Sequence, residues 1–170
     1  MLLNSELLAQ YPCWLVADLL LKNGYKLAAA ESCTGGLISA VCTSVSGSSD
    51  WFERGFVTYS NDAKTEQLGV DAALIAEHGA VSELVARAMA FGAIRYSRAQ
   101  VSVAVTGVAG PTGGSAAKPV GTVWFGFSIN GILCSEVQHF AGDRAAVRQA
   151  TVQHALQRLV ALLGTEKGHP

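Results

Sequence analysis

The chain has 170 residues and a mass of 17.7 kDa, enough for one domain with a sizeable hydrophobic core. Half of the residues are hydrophobic, 15% are charged, and the formal net charge is -1. Because lysine and arginine form no block, the sequence argues against nucleic acid or an anionic membrane as a partner held by bulk electrostatics.

No apolar run approaches the roughly 20 residues that a membrane-spanning helix needs, although the mean hydropathy is +0.31. The first residues, M-L-L-N-S-E, also lack the basic region and apolar stretch of a signal peptide. We therefore expect a cytoplasmic protein with no membrane partner.

The cysteines and histidines show no metal-binding spacing. No two cysteines stand as C-x-x-C, so small buried side chains are the favoured interpretation in a reducing compartment. The residues concerned are Cys13, Cys33, Cys42, Cys134, His78, His139, His154 and His169. We expect neither a metal site nor a cofactor.

The first third of the chain alternates predicted helices and strands. Apolar spacing predicts a helix over Leu7–Lys22 that stops at Asn23-Gly24. Lys26–Ala30 is a predicted buried strand, Leu37–Val45 a helix, and Phe56–Tyr59 a second short strand.

Capping residues mark the next three helices. Ser60-Asn61 begins a helix that stops at Gly69, Asp71 and Gly79 bracket a short one, and Ser82 caps a third. The alternating, β-branched segment Gln100–Thr106 then predicts a strand.

The last third predicts a hairpin and a final helix. Asn130-Gly131 separates the strands Val120–Ile129 and Ile132–Phe140, which makes those two antiparallel. Asp143 is the expected cap of a final helix that Gly164 ends. Strands alternating with helices, followed by a hairpin, predict an α/β layered domain around a mixed sheet, with residues 1–170 as a single domain.

Ligands of such folds bind at the carboxyl ends of strands, in the turns that lead to helices. Three predicted strands end in polar or glycine-rich turns: E-S-C-T-G-G, the turn of Tyr59–Lys64, and the loop after Thr106. We therefore look for chemistry in these turns.

Lys64 has two possible roles. In the first turn of its helix, the positive end of the helix dipole and any burial would both favour a neutral amine, as a general base requires. Alternatively, its long stem lets the charged head reach water. Spacing alone does not decide between these roles.

Ser48 and Ser49 are similarly ambiguous. They precede D-W-F-E, where Asp50 and Glu53 stand three apart like a capping box, so either serine is a natural helix cap. A serine among free N–H groups at a helix start is also a plausible nucleophile, with a lysine in place of histidine as its base. No histidine lies in the three turns.

Each glycine-rich segment has either a purely structural role or a role in ligand binding, and the sequence does not decide between them. Gly107–Ser115 is either a tight connection with positive φ or a loop whose N–H groups approach an anion or a flat ring. Thr34-Gly35-Gly36 suits a phosphate at a helix start, and Arg144 is either a surface charge or a phosphate partner.

Four long motifs, in order along the chain, resemble one family. They are A-E-S-C-T-G-G (30–36), G-S-S-D-W-F-E-R-G-F-V-T-Y-S-N-D-A-K (47–64), H-G-A-V-S (78–82) and V-T-G-V-A-G-P-T-G-G-S-A-A-K-P-V-G-T-V-W (105–124). This series is similar to the nicotinamide-nucleotide amidohydrolases, the domain at the C-terminus of CinA competence/damage-inducible proteins. The resemblance spans essentially the whole chain and matches the form without the additional N-terminal domain.

The resemblance implies a three-layer α/β/α sandwich around a mixed β-sheet with a C-terminal antiparallel hairpin. It also implies hydrolysis of the carboxamide of nicotinamide mononucleotide to nicotinate mononucleotide and ammonia, without a metal. The nucleophile of the motif G-[AS]-S-x-x-[FVY] falls on Ser49 and the base of Y-S-N-x-x-K on Lys64, with Tyr59 and Thr106 orienting the lysine or the amide. Ser46 stands where many relatives have proline.

The Gly110–Gly114 loop, Thr34-Gly35-Gly36 and Arg144 are the implied contacts to ribose and phosphate. The full set of implied substrate-binding residues is Glu31, Ser32, Thr34, Gly35, Gly36, Ser48, Gly110, Thr112, Gly113, Gly114 and Arg144. The alternative is a binding module that holds a nucleotide or pyridine in the same pocket without turnover. The high apolar fraction also suggests a homodimer or larger homo-oligomer, with Trp51 or Phe52 as possible contacts.

Overall fold

The structure is a computed structural model, and it describes residues 11–165. These residues form a five-stranded sheet and six α-helices. In chain order the elements are α1 (Cys13–Asn23), β1 (Leu27–Glu31), α2 (Leu37–Thr43), β2 (Phe52–Val57), α3 (Asn61–Leu68), α4 (Ala72–His78), α5 (Glu83–Arg95), β3 (Val101–Gly107), β4 (Thr122–Ile129), β5 (Ile132–His139) and α6 (Arg144–Thr165).

The sheet is mixed, with the strand order β2-β1-β3-β4-β5. β1 pairs in parallel with both β2 and β3, whereas β4 is antiparallel to β3 and to β5. The predicted hairpin is confirmed: Asn130 and Gly131 both have positive φ, 46° and 87°, as a two-residue type I′ turn requires.

Helices cover both faces of the sheet, which confirms the predicted α/β/α layering. On one face α1, α2 and α6 pack against side chains such as Leu27, Val103 and Phe125. On the other face α3, α4 and α5 pack against the alternate strand residues Ala28, Ala30 and Ala104. This alternation follows from the two-residue period of a strand.

The predicted helix caps are confirmed. The side chains of Ser60, Asp71, Ser82 and Asp143 each accept a hydrogen bond from a backbone N–H in the first turn of α3, α4, α5 and α6. Gly24 ends α1 with a left-handed φ of 66°, as its position predicts.

Other boundaries differ from the prediction. D-W-F-E is not helical: Ser48–Asp50 form one 3-10 turn, and β2 begins at Phe52, four residues before the predicted strand. Trp51 is buried rather than exposed, and its carbonyl accepts the N–H of Leu27.

The two terminal helices also differ from their predicted limits. α6 continues through Gly164 to Thr165, so the glycine does not end it. The predicted start of the first helix at Leu7 lies outside the described residues. Within residues 11–165, no helix combines the length and apolar character that a membrane crossing requires.

Candidate active site

The carboxyl ends of β1, β2 and β3 meet at one edge of the sheet, as their parallel pairing dictates. A cavity of about 250 Å³ opens there. Its walls come from the three turns predicted to carry chemistry, from the α4–α5 connection and from the start of α6: Ser32, Cys33, Tyr59, Asn61, Lys64, Ala80, Val81, Thr106, Gly107, Ala109 and Arg144.

Lys64 lies in the first turn of α3, and its side chain reaches inward. The residue is only 1% exposed, so the alternative of a head group in water is wrong. Its Nζ lies 3.0 Å from Ser32 Oγ, 2.9 Å from the Thr58 carbonyl oxygen and 3.4 Å from the Ser60 carbonyl oxygen.

The surroundings of Nζ suit an uncharged amine. Burial lowers the pKa of Lys64 below its ordinary value of 10.5. None of the ion pairs among the described residues involves Lys64. A neutral amine has two N–H groups for the carbonyls of Thr58 and Ser60 and one lone pair, which is then available to the Ser32 hydroxyl.

Ser32 sits in a sharp strand–turn–helix connection between β1 and α2. It is 8% exposed, and its backbone N–H donates to the Val105 carbonyl of β3, which fixes its position at the sheet edge. Within residues 11–165, the N–H groups of Cys33 and Thr34 donate to no backbone carbonyl. Among the described residues, the two N–H groups beside the serine hydroxyl are therefore not taken up by backbone carbonyls, and that of Cys33 contacts only its own thiol.

Glu31 is wrongly predicted as a substrate contact, because its carboxylate is fully engaged inside the protein. It is fully buried and accepts from the N–H groups of Gly36, Ile38 and Ser39 and from the hydroxyls of Thr34 and Ser39. This internal carboxylate occupies the start of α2, where the sequence predicted a phosphate.

The side chain of Thr34 and the N–H of Gly36 are consequently unavailable to a ligand, which corrects their predicted binding role. Gly35 is exposed in the same turn and has a φ of 59°, so its part in the fold is to allow the bend.

Ser48 and Ser49 lie at the amino ends of the parallel strands, opposite the cavity that contains Lys64. They precede β2, whereas Lys64 follows it, and the six residues of β2 span roughly 20 Å. Ser49 lines a separate cavity with Lys26 and Arg98. The predicted pairing of Ser49 with Lys64 is therefore not formed within this chain, and the hydroxyl that meets Lys64 is that of Ser32.

Tyr59, Thr106 and Arg144 complete the rim of the cavity. Arg144 donates one guanidinium N–H to the Tyr59 hydroxyl at 2.8 Å and another to the Gly110 carbonyl at 2.9 Å. Thr106 donates its hydroxyl to the Ala80 carbonyl at 2.9 Å and so fixes the wall between α4 and α5. The hydrogen bonds of Lys64 Nζ go to Ser32, Thr58 and Ser60 and not to Tyr59 or Thr106, so the orienting role of those two stays a prediction.

A second cavity, of about 650 Å³, adjoins the first because Ala109 and Arg144 line both. Pro111 and Val120 of the glycine-rich loop and Arg148 of α6 form other parts of its wall. Gly110 is buried beside it, whereas Thr112, Gly113 and Gly114 are exposed and line neither cavity.

Sequence reasoning missed several residues of the site. Cys33 and Asn61 stand in turns predicted to carry chemistry but had no predicted role, whereas Ala80 and Val81 are apolar and only the fold brings them to the cavity. Arg148 did have a signal, because it lies four residues after Arg144 on the same predicted helix and therefore on the same face. Within residues 11–165, no three His, Cys, Asp or Glu side chains are grouped as a metal site requires.

Comparison with known proteins identifies one family. Residues 13–163 match the family model described as the CinA C-terminal domain. Over 145 residues the chain is 50% identical to a protein of Escherichia coli K12 named nicotinamide-nucleotide amidohydrolase PncC, covering 85% of this chain and 88% of that protein. A protein of the same name from Pseudomonas putida is 56% identical over 137 residues, covering 81% and 85%.

Solved structures of similar fold come from proteins described in related terms. A CinA superfamily protein from Escherichia coli superposes with a TM-score of 0.88 at 36% identity, covering 95% of this chain and 94% of that chain. A competence/damage inducible protein from Agrobacterium tumefaciens gives 0.84 at 42% identity, covering 95% and 98%.

Proposed function

The chain belongs to the CinA C-terminal domain family, and from this premise we propose that it hydrolyses the carboxamide of nicotinamide mononucleotide. The products are nicotinate mononucleotide and ammonia, a step in the recycling of pyridine nucleotides. Relatives that are about half identical over most of this chain carry the name of that activity.

The observation that carries the chemical proposal is the 3.0 Å contact between Lys64 Nζ and Ser32 Oγ in a buried cavity. A serine hydroxyl is a weak nucleophile until a base within hydrogen-bond reach takes its proton. The desolvated amine of Lys64 supplies such a base, and we assign the nucleophile to Ser32 rather than to Ser49.

The reaction proceeds in two halves. Neutral Lys64 accepts the hydroxyl proton while Ser32 Oγ attacks the carboxamide carbon, and the resulting ammonium group protonates the departing ammonia. Water then attacks the acyl-enzyme ester as Lys64 accepts its proton, and the amine returns that proton to Ser32 Oγ as nicotinate mononucleotide leaves. Each proton taken up by Lys64 is given back, so the amine ends uncharged.

The free N–H groups of Cys33 and Thr34 are the proposed donors to the oxyanion that forms in each half. They follow the nucleophile directly at a turn into a helix, a position from which backbone donors stabilise developing negative charge. Because these donors are held by the fold, they need little reorganisation during the reaction.

The two adjoining cavities suit the two ends of a mononucleotide. The smaller one, with Ser32 and Lys64, takes the carboxamide, and the larger one, with Arg144 in its wall, takes the ribose and its anionic phosphate. Arginine is well suited to phosphate because its planar N–H groups match two oxygens at once.

Incubation with nicotinamide mononucleotide tests the proposed activity. We expect ammonia and nicotinate mononucleotide in equal amounts, and no ammonia from nicotinate mononucleotide supplied as a control. Binding of nicotinamide mononucleotide without any ammonia would instead identify a module that holds the nucleotide without turnover.

The proposal also covers the location of the protein in the cell and its oligomeric state. We place the protein in the cytoplasm, where pyridine nucleotides are recycled, and we propose a homo-oligomer. Trp14 and Leu21 stand seven residues apart on α1 and therefore on one face of that helix, and both are exposed, which supports association with a second copy.

A further inference from the structure

Arg148 joins the last helix to the turn that carries Ser32. Its guanidinium donates to the carbonyl oxygen of Thr34 at 2.8 Å, across 114 positions of sequence. The contact connects the second turn of α6 to the first connection of the sheet. The guanidinium group also lies close to Gly35: a Cβ added at Gly35 would be 3.7 Å from the same guanidinium nitrogen.

The contact anchors the Thr34 peptide, in the middle of the turn, which neither Glu31 nor the sheet holds. Glu31 holds the side chain of Thr34 and the first N–H groups of α2, but a carboxylate cannot bind a carbonyl oxygen. Apart from Arg148, the Thr34 carbonyl accepts only the N–H of Leu37 among residues 11–165, at 3.3 Å. Arg148 is therefore the anchor that reaches this peptide from another part of the fold.

The positive charge of Arg148 is not neutralised locally. None of the ion pairs among the described residues includes it, and its Nε is buried without a hydrogen-bond partner. Burial raises the pKa of the neighbouring Cys33 thiol to about 12, and the Arg148 charge opposes that rise, so its field reaches the residue after Ser32.

We infer that Arg148 is a positioning residue, which holds the Ser32–Gly36 turn so that the N–H groups of Cys33 and Thr34 face the oxyanion. The inference rests on the proposed function and adds a residue that acts on kcat without binding the carboxamide. Misplacement of such donors by about an ångström costs on the order of 100-fold in rate.

The test compares Arg148→Met with Arg158→Met, a loss of arginine from the same helix. Arg158 pairs with Glu136 of β5 at 2.7 Å and is remote from the cavity. We expect kcat for ammonia release to fall roughly 10- to 100-fold in Arg148→Met, with KM within about threefold of wild type. Arg158→Met should keep the wild-type kcat.

Two further readouts separate positioning from a general loss of structure. Guanidinium ion at a sub-denaturing concentration should restore part of kcat to Arg148→Met and none to Arg158→Met. Amide exchange at Gly35, Gly36 and Leu37 should be faster in Arg148→Met than in wild type. If Arg148→Met fails to fold, Arg148→Lys carries the test, with a kcat between wild type and the values expected for Met.

The inference is overturned by an unchanged kcat with unchanged exchange in the turn. It is also overturned by a raised KM with a normal kcat, because Arg148 would then bind substrate directly. If wild type releases no ammonia, the proposed function fails by itself, and the exchange measurement still decides whether Arg148 holds the turn.

Discussion

Lys64 is held where a charged amine is disfavoured twice, by burial and by the positive end of the α3 dipole. A lysine on a protein surface would be protonated at neutral pH and could not take a proton from serine. The three groups around Nζ, two carbonyls and one hydroxyl, are uncharged, so they fix the amine without supplying a negative charge that would raise its pKa.

The pH dependence of activity follows from this arrangement. Only the neutral amine acts as a base, so kcat/KM should rise with pH and level off above the pKa of Lys64. Because burial lowers that pKa, the plateau should begin below pH 10.5. Steady-state rates of ammonia release between pH 6 and 10 measure this. A kcat/KM that falls as the pH increases from 6 to 10 would mean that the protonated lysine is the active form.

At the scale of elements, Glu31 is expected to determine whether α2 starts correctly. Glu31→Gln keeps the shape but replaces one carboxylate oxygen by an NH₂ group, which faces N–H donors it cannot accept. We expect urea denaturation to show a loss of about 1–3 kcal/mol in the free energy of unfolding.

The matched control is Glu66→Gln on the exposed side of α3, which should stay within about 0.5 kcal/mol of wild type. Equal stability of Glu31→Gln and Glu66→Gln would show that the buried carboxylate does not stabilise the turn.

The packing of α5 on the sheet depends on glycine. A Cβ at Gly126 of β4 would overlap the carbonyl oxygen of Ala86 in α5, so Gly126→Ala must move backbone. We expect a loss of roughly 1–3 kcal/mol in the unfolding free energy. Gly164→Ala, where an added Cβ meets nothing within 4 Å in the last turn of α6, should instead gain up to about 1 kcal/mol. Thermal or urea unfolding of both variants checks the opposite signs.

One element explains why the pairing of Ser49 with Lys64 was wrongly predicted from sequence. β2 is an edge strand with only half-buried or exposed side chains, so its alternation is weak, and Asp50 and Glu53 imitate a capping box. Because β2 starts at Phe52 and not at Phe56, no helix separates Ser49 from the strand, so Ser49 lies at its amino end while Lys64 lies beyond its carboxyl end. The residue types alone could not reveal that start.

At the scale of the whole molecule, the strand–helix alternation, the hairpin and the caps could all be predicted because each depends on local sequence. The meeting of Ser32, Lys64 and Thr106 at one edge was also predictable in outline, from the rule for parallel strands. Which hydroxyl faces the lysine depends on the strand order, with β1 beside β2, and no local pattern contains that information.

Binding of nicotinamide mononucleotide should stabilise the whole fold. The proposed ligand joins three turns and the start of α6, and a ligand at 100 times its Kd adds about 2.7 kcal/mol to the free energy of unfolding. Ser32→Ala removes the hydroxyl without removing the larger cavity, so its Tm should rise by several degrees with this nucleotide. An unchanged Tm at millimolar nucleotide would show that the cavities do not bind it.

The most direct measurement is kcat for ammonia release from nicotinamide mononucleotide by folded Ser32→Ala. The structure places the Ser32 hydroxyl 3.0 Å from the only amine in the cavity among the described residues, and we assign it the covalent step. We predict a fall on the order of 10⁴-fold or more. A kcat within tenfold of wild type would contradict the account, because another group would then have to attack the carboxamide.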